Sequence, residues 1–189
     1  DVTDADAVAA SLGDLVDELG VPDILVNNAG VQRRAPFHEF PIADWDALIA
    51  ANLSGPFYVA RALARAFVER GSGKVVNVGS VQSVLARQTI APYSASKGGI
   101  AQLTRGMAAD LARYGIQVNT LSPGYFATEM NRALVDDAAF TSWLEARTPA
   151  GRWGDFSELD GALLFLCSDA SSFVSGQNLV VDGGMTSVV

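Results

Sequence analysis

Tyr93 stands four positions before Lys97 in the stretch APYSASKGG, residues 91–99. Positions four apart on a helix share a face, so a phenol and an ammonium point the same way. A free phenol titrates near pH ~10 and is a poor base at neutral pH unless a cation stabilises its phenolate. Lowering it by about 2–3 units corresponds to roughly 3–4 kcal/mol of differential stabilisation, which needs a partly buried pair. Ser94, Ala95, Ser96, Gly98 and Gly99 are small, and small residues let a flat ligand approach. Taken alone, Tyr followed by Lys four later is an ordinary exposed pair. Two other residues change the reading. Ser80 ends an apolar strand thirteen residues before Tyr93, so a loop can return its hydroxyl beside the phenol. Asn52 falls inside a long helical stretch, where Asn is a poor choice. Alone it reads as a helix-bending residue satisfied by water; with the others, its amide has a task.

The elements that must position these groups alternate between strand and helix. Thr3 opens a T-x-x-D capping box ahead of Val8, Leu12, Leu15, Val16 and Leu19, a helical rhythm that stops at Gly20. DILVNNAG (23–30), KVVNVGS (74–80), IQVNTLSP (116–123) and NLVVDGG (178–184) read as strands, the first two as buried strands of a parallel sheet. Helices are predicted over 44–70, ended by Gly71, and over 92–114, with Pro92 as first residue and Gly115 as cap. Residues 124–150 read as a partly helical insert, and Asp155 with Glu158 forms a capping box for a helix over 155–168. The fold class expected is α/β, with a parallel sheet flanked by helices in one domain over 1–189.

Composition narrows the partners. There are 13 Lys+Arg against 21 Asp+Glu, a net charge of −8, and no basic block, which argues against nucleic acid and anionic membrane surfaces. No apolar run near the length of a membrane span is read from the sequence. The lone Cys167 fits a reducing cytoplasm, and one His with one Cys makes no zinc site of the usual kind, so no metal is expected.

NNAG (27–30), Asn52, Ser80, YSASK (93–97), SPG with Thr128 (122–128) and VDGG (181–184) together resemble the short-chain dehydrogenase/reductase family, in its order and spacing and over essentially the whole chain. The resemblance implies a Rossmann-type sheet that binds a nicotinamide dinucleotide, NADP with NAD as the alternative. Tyr93 would be the acid/base that exchanges a proton with the substrate oxygen. Lys97 would lower the Tyr93 pKa and hold the nicotinamide ribose, Ser80 would bond the carbonyl or alcohol, and Asn52 would anchor a water linking Lys97 to solvent. Asp1 and Val2 would contact adenine, and Asn28, Ala29 and Gly30 would lie along the adenosine side. Pro123, Gly124, Phe126 and Thr128 would receive the nicotinamide end. The helices 44–70 and 92–114 are apolar on more than one face, so one face of each needs a partner; the resemblance implies that they pack between subunits of a homotetramer.

The family's glycine-rich turn, T-G-x-x-x-G-x-G, does not occur in this sequence; Asp1 would fall after the third family strand. The expectation is therefore an N-terminally truncated domain with an apolar sheet edge on DILVN; a non-catalytic remnant unable to bind dinucleotide is the competing one. The loop GVQRRAPFHEF (30–40) carries adjacent arginines at the active end of the sheet, and Arg33 or Arg34 could pair with a substrate carboxylate. The plain alternative is two solvated arginines or an intersubunit ion pair. GVQRR, SVQS (80–83), PGYFATEM (123–130) and RTPAGRWGD (147–155) are similar to the branch of the family that interconverts D-gluconate and 5-dehydro-D-gluconate. That implies a small sugar-acid substrate, with another keto sugar acid or a 3-oxoacyl substrate as alternatives. Arg87, Trp143 and Arg147 could also approach the pocket, and His38 reads as a surface residue. Trp143 and Trp153 could instead latch the insert.

Overall fold

The computed structural model describes residues 1–188. Among them, four strands form one all-parallel sheet in the order β1 (Ile24–Asn27), β2 (Gly73–Val78), β3 (Ile116–Pro123) and β4 (Asn178–Val181). Parallel neighbours need crossovers, and helices supply them. The helices are α1 (Ala5–Leu19), α2 (Ile42–Ile49), α3 (Gly55–Arg70), α4 (Ala91–Leu111), α5 (Arg132–Val135), α6 (Ala138–Arg147) and α7 (Asp160–Cys167).

Val75 and Val76, adjacent on β2 and so on opposite faces, are 2% and 1% exposed, as expected of a strand covered on both sides. Leu63 and Phe67 of α3 and Ala108 of α4 pack with Val75, Ile116 and Val118 on one face, and Leu12 and Val16 of α1 lean on this cluster. On the other face Leu166 of α7 packs with Val76 and Leu121. β1 is hydrogen-bonded on one side only. Its Ile24 and Val26 are consequently 43% and 38% exposed, the apolar edge anticipated from the sequence.

Three expectations need correction. The N-cap of α1 is Asp4, whose carboxylate accepts from the Asp6 and Ala7 N–H groups at 3.1 and 3.0 Å. Thr3 is instead held by Asp1, whose Oδ1 accepts from its backbone and hydroxyl. A carboxylate caps more strongly than a hydroxyl through its charge.

The stretch read as one helix over 44–70 begins at Ile42 and contains a π-turn at Ala50–Ser54 between α2 and α3. Pro56 supplies no N–H, and the Gly55 N–H reaches back to the Ala50 carbonyl, so the turn widens there. Residues 42–70 as a whole are also long and apolar enough, by composition, to cross a membrane, contrary to the sequence reading. Part of that apolarity serves the core: Leu48, Leu63 and Phe67 are all at most 2% exposed.

The strands expected over 23–30 and 178–184 stop at Asn27 and Val181, and the helix expected over 155–168 opens with a 3-10 turn at Phe156–Leu159 before α7. α4 begins at Ala91, one residue before the expected Pro92, and ends through a short 3-10 turn at Gly115, whose φ is 76°. The Asp155–Glu158 capping box is present, with the Asp155 N–H donating to Glu158 Oε2 at 2.7 Å.

Candidate active site

The C-terminal ends of the strands gather the chemistry. β2 stops at Val78, and Gly79 follows with its N–H bonded to the Leu121 carbonyl at 2.7 Å. A Cβ on residue 79 would collide with Thr120 and Ser122 of β3, so glycine alone lets the chain leave the sheet here. Ser80 then turns, its N–H 3.2 Å from Ser122 Oγ, and its own hydroxyl caps the next turn by accepting from the Gln82 N–H. Ser80 is 8% exposed.

α4 returns Tyr93 to this point, and Ser80, Tyr93 and Gly124 line one cleft of about 470 Å³, open to solvent. Burial pushes the Tyr93 phenol up, while hydrogen bonding to the Ser80 hydroxyl and the charge of Arg34 oppose that rise. Lys97, one turn on, is 6% exposed, and its Nζ donates to the Val78 carbonyl at 2.7 Å. Burial lowers its pKa to about 8. Nζ stands 5.8 Å from the centre of the Tyr93 ring. The expected acidification of Tyr93 by Lys97 is therefore not what this arrangement shows. One ammonium N–H is directed at Val78 rather than at the phenol, and desolvation is the largest influence on Tyr93.

Asn52 is 1% exposed and is not a solvated helix-bender. Its Oδ1 accepts from the Val31 N–H at 2.8 Å, and its Nδ2 donates to the Val31 carbonyl at 2.9 Å and to Ser96 Oγ at 3.3 Å. The widened π-turn thus pins the segment after β1 against α4. Gly30 fits beneath it: a Cβ there would lie 3.1 Å from Asn52 Oδ1 and 3.9 Å from Lys97 Nζ.

The paired arginines part company. Arg34 lines the cleft with Gln32, Gln82, Arg87, Tyr125 and Asn131. Arg33 is directed outward, its Nε 3.7 Å from Asp44 Oδ1 on α2 and its Nη1 bonded to the Gln32 carbonyl, so the structure does not bring it into the site. Arg147 is likewise elsewhere, bonded to the carbonyls of Met185 and Val188. His38 is an exposed loop residue beside Glu39. Trp143 and Trp153 join Tyr125 and Phe140 in an aromatic cluster that fastens the insert, with Trp153 Nε1 on Thr141 Oγ1.

The remaining predicted residues fall on two sides of the cleft. Val2, Asn28 and Ala29 line a groove of about 390 Å³ with Asn27, Gly55 and Pro56. Asp1 is exposed and does not line this groove; its carboxylate accepts from the Thr3 N–H and hydroxyl. Pro123 ends β3, paired with Val181. Gly124 is pressed against Asp182, where a Cβ would come within 2.7 Å of its Cα. Phe126 is 5% exposed, its ring packed on Gly154, so only its backbone faces the neighbouring segment. The Thr128 N–H donates to the Phe126 carbonyl at 2.9 Å. Gln82, Tyr125 and Asn131 were missed as cleft residues; Gln82 and Tyr125 follow closely on strand ends, while Asn131 sits in a turn at Glu129–Asn131 that no sequence signal marked.

A buried lysine, a tyrosine and a serine at the carboxyl ends of a parallel sheet, beside a groove for a flat ligand, are the parts of an oxidoreductase that handles the proton while a bound cofactor handles the hydride. A family model described as enoyl-(acyl carrier protein) reductase matches residues 1–186, and the chain belongs to the short-chain dehydrogenase/reductase family. It is 57% identical over 186 residues to gluconate 5-dehydrogenase of Gluconobacter oxydans (strain 621H), covering 98% of this chain and 73% of that protein. It is 55% identical over 184 residues to 5-keto-D-gluconate 5-reductase of Escherichia coli (strain K12), covering 97% and 72%. The crystal structure of a gluconate 5-dehydrogenase from Burkholderia cenocepacia J2315 in complex with NADP and tartrate superposes with a TM-score of 0.99 at 60% identity, covering 100% of this chain and 74% of that one.

Proposed function

We propose that this chain forms the catalytic part of an NADP(H)-dependent oxidoreductase that interconverts D-gluconate and 5-dehydro-D-gluconate. The observation that carries this reading is the joining, in one cleft, of Ser80 and Tyr93 with the guanidinium groups of Arg34 and Arg87. The first pair suits a carbonyl and the second an acid. The names of the relatives in Gluconobacter oxydans and Escherichia coli support the same substrate.

The residues present fit the cofactor's nicotinamide half. Lys97 uses one of its three N–H groups on Val78, leaving two for ribose hydroxyls, and Gly30 keeps the space before it open. Val2, Asn28 and Ala29 would flank the adenosine, and Gly124 and Thr128 the nicotinamide; the glycine-rich phosphate turn of the family does not occur in residues 1–189. When bound, the cofactor supplies or accepts a hydride at the substrate carbon. In reduction, Ser80 donates a hydrogen bond to the substrate carbonyl and Tyr93 delivers its proton to the same oxygen as alkoxide develops. A phenol raised by burial is well suited to hold that proton until it is needed. Lys97, with Asn52 and Ser96 behind it, holds the ribose and offers a route for the proton's replacement. In oxidation, Tyr93 takes the proton back.

We place the enzyme in the cytoplasm as a homotetramer. Phe57 on α3 is 43% exposed, and the helices 44–70 and 92–114 would supply one interface. The test of function is loss of the nicotinamide absorbance band when the full chain meets NADPH and 5-dehydro-D-gluconate, with a 3-oxoacyl thioester and a neutral ketohexose alongside. Turnover of the sugar acid above both others is expected. Preference for the thioester would replace the sugar acid with an acyl substrate.

A further inference from the structure

Arg87 has a geometry that the packing of the protein does not explain. It lies in the loop between Ser83 and α4 and lines the same cleft as Arg34. Its Cζ stands 5.3 Å from the centre of the Phe140 ring. Such a contact occupies the ring rather than the guanidinium's five N–H donors, which remain available to a partner. Yet Arg87 Nε is buried without any hydrogen-bond acceptor, and Gln82 Oε1, on the same cleft and in a residue 6% exposed, is buried without a donor. Buried polar atoms are nearly always paired, so two orphans of opposite kind on one cleft wall point to a ligand that accepts at one and donates at the other.

The backbone holds this arrangement under strain. Among the described residues Thr89 alone of the non-glycines has a positive φ, 68°. A β-branched residue in that region is a true outlier, and such strain gathers at functional sites. The turn places the Thr89 carbonyl 3.1 Å from the Ala35 N–H, which ties the Arg87 loop directly to the residue after Arg34. Arg34 and Arg87 are thus held near one another, and burial, with the Arg87 charge beside it, lowers the Arg34 pKa. Like charges fixed together without a counter-ion are unfavourable until an anion bridges them.

We propose that Arg87 determines specificity for acids. Its Nε and the Arg34 guanidinium together hold the substrate carboxylate, Gln82 accepts a hydroxyl of the same chain, and Thr89 is the positioning residue that keeps the two arginines in register. This rests on the sugar-acid reading above. A neutral sugar of the same length lacks the group that relieves the two cations, and a fatty-acyl chain would bury them unpaired. Arg33, adjacent in sequence, takes no part.

The test compares wild type with Arg87→Gln and Arg87→Lys on 5-dehydro-D-gluconate and on the ketohexose in which a hydroxymethyl group replaces the carboxylate. Each variant is also titrated with D-gluconate by calorimetry. Loss of a charged hydrogen bond weakens binding by about 10- to 100-fold. The expected result for Arg87→Gln is a KM for the acid raised by that factor, and a drop in the acid-to-neutral ratio of kcat/KM of the same order. Arg87→Lys, which keeps the charge without the Nε donor, should fall between. If both substrates lose rate in proportion, or the KM for the acid stays within twofold in either variant, Arg87 is only structural and the proposal fails. Should the wild type turn over no sugar acid, the functional reading fails separately. Calorimetry then decides the clamp: D-gluconate binding that Arg87→Gln abolishes sustains it, and equal binding, or none by wild type, removes it.

Discussion

Replacing Asn52 with alanine should cost the protein both stability and its hold on the substrate loop. The side chain makes three hydrogen bonds, two to the Val31 backbone at 2.8 and 2.9 Å and one to Ser96 Oγ at 3.3 Å, from a position 1% exposed. Each contributes about 1 kcal/mol net, and part of the Val31 backbone can recover water, so the expected loss is about 2–3 kcal/mol. For a chain of 189 residues this lowers the midpoint of thermal unfolding by about 4–12 °C. Guanidinium denaturation followed by circular dichroism measures it, with an unchanged slope showing that only stability has moved. Arg34 lies three residues past Val31, so the KM for the sugar acid should rise as well. A loss below about 0.5 kcal/mol would refute the view that this amide fastens the segment after β1 to the π-turn. Lost stability with unchanged KM would separate that anchor from the substrate loop.

Three further outcomes follow from other parts of the structure. Lys97 has a folded pKa of about 8 against an ordinary 10.5, so between these values the unfolded chain binds the extra proton. Stability of the wild type should therefore rise from pH 8 toward pH 10, by on the order of 3 kcal/mol from this group, and Lys97→Met, followed by urea denaturation, should lose that rise. Thr89→Gly relieves a positive φ of 68° and should raise stability by about 1 kcal/mol, while lowering the acid-to-neutral preference; a thermal melt and the paired kinetics read both. Arg33→Ala, which removes an exposed contact with Asp44 and a local bond to the Gln32 carbonyl, should change stability by no more than about 0.5 kcal/mol and leave the KM for the acid within twofold.

The strand–helix alternation, the Asp155–Glu158 box and the convergence of Ser80 with Tyr93 were legible because each rests on local signals: periodicity, capping residues and spacing. What escaped depends on tertiary competition. Thr3 lost its cap to Asp4 because two candidate acceptors stood side by side and the carboxylate was the stronger. The π-turn at Ala50–Ser54 leaves no mark in hydrophobic periodicity, since Asn52 there is justified only by Val31, 21 residues earlier. Arg33 and Arg34 are neighbours in an irregular segment, where no period says which one faces the cleft. The charge on Lys97 was read as serving Tyr93, but its Nζ donates to the Val78 carbonyl, and burial is the largest influence on the phenol.

The account turns on Tyr93 as the group that moves the proton. The most direct test is single-turnover hydride transfer from NADPH to 5-dehydro-D-gluconate by wild type and by Tyr93→Phe, with NADPH affinity measured on both. The account predicts that Tyr93→Phe binds the cofactor within a few-fold of wild type and slows transfer by about 10²–10⁴-fold, the usual contribution of a positioned acid. Transfer at the wild-type rate would contradict it, and would leave the cleft with its arginines as a binding site whose chemistry lies elsewhere.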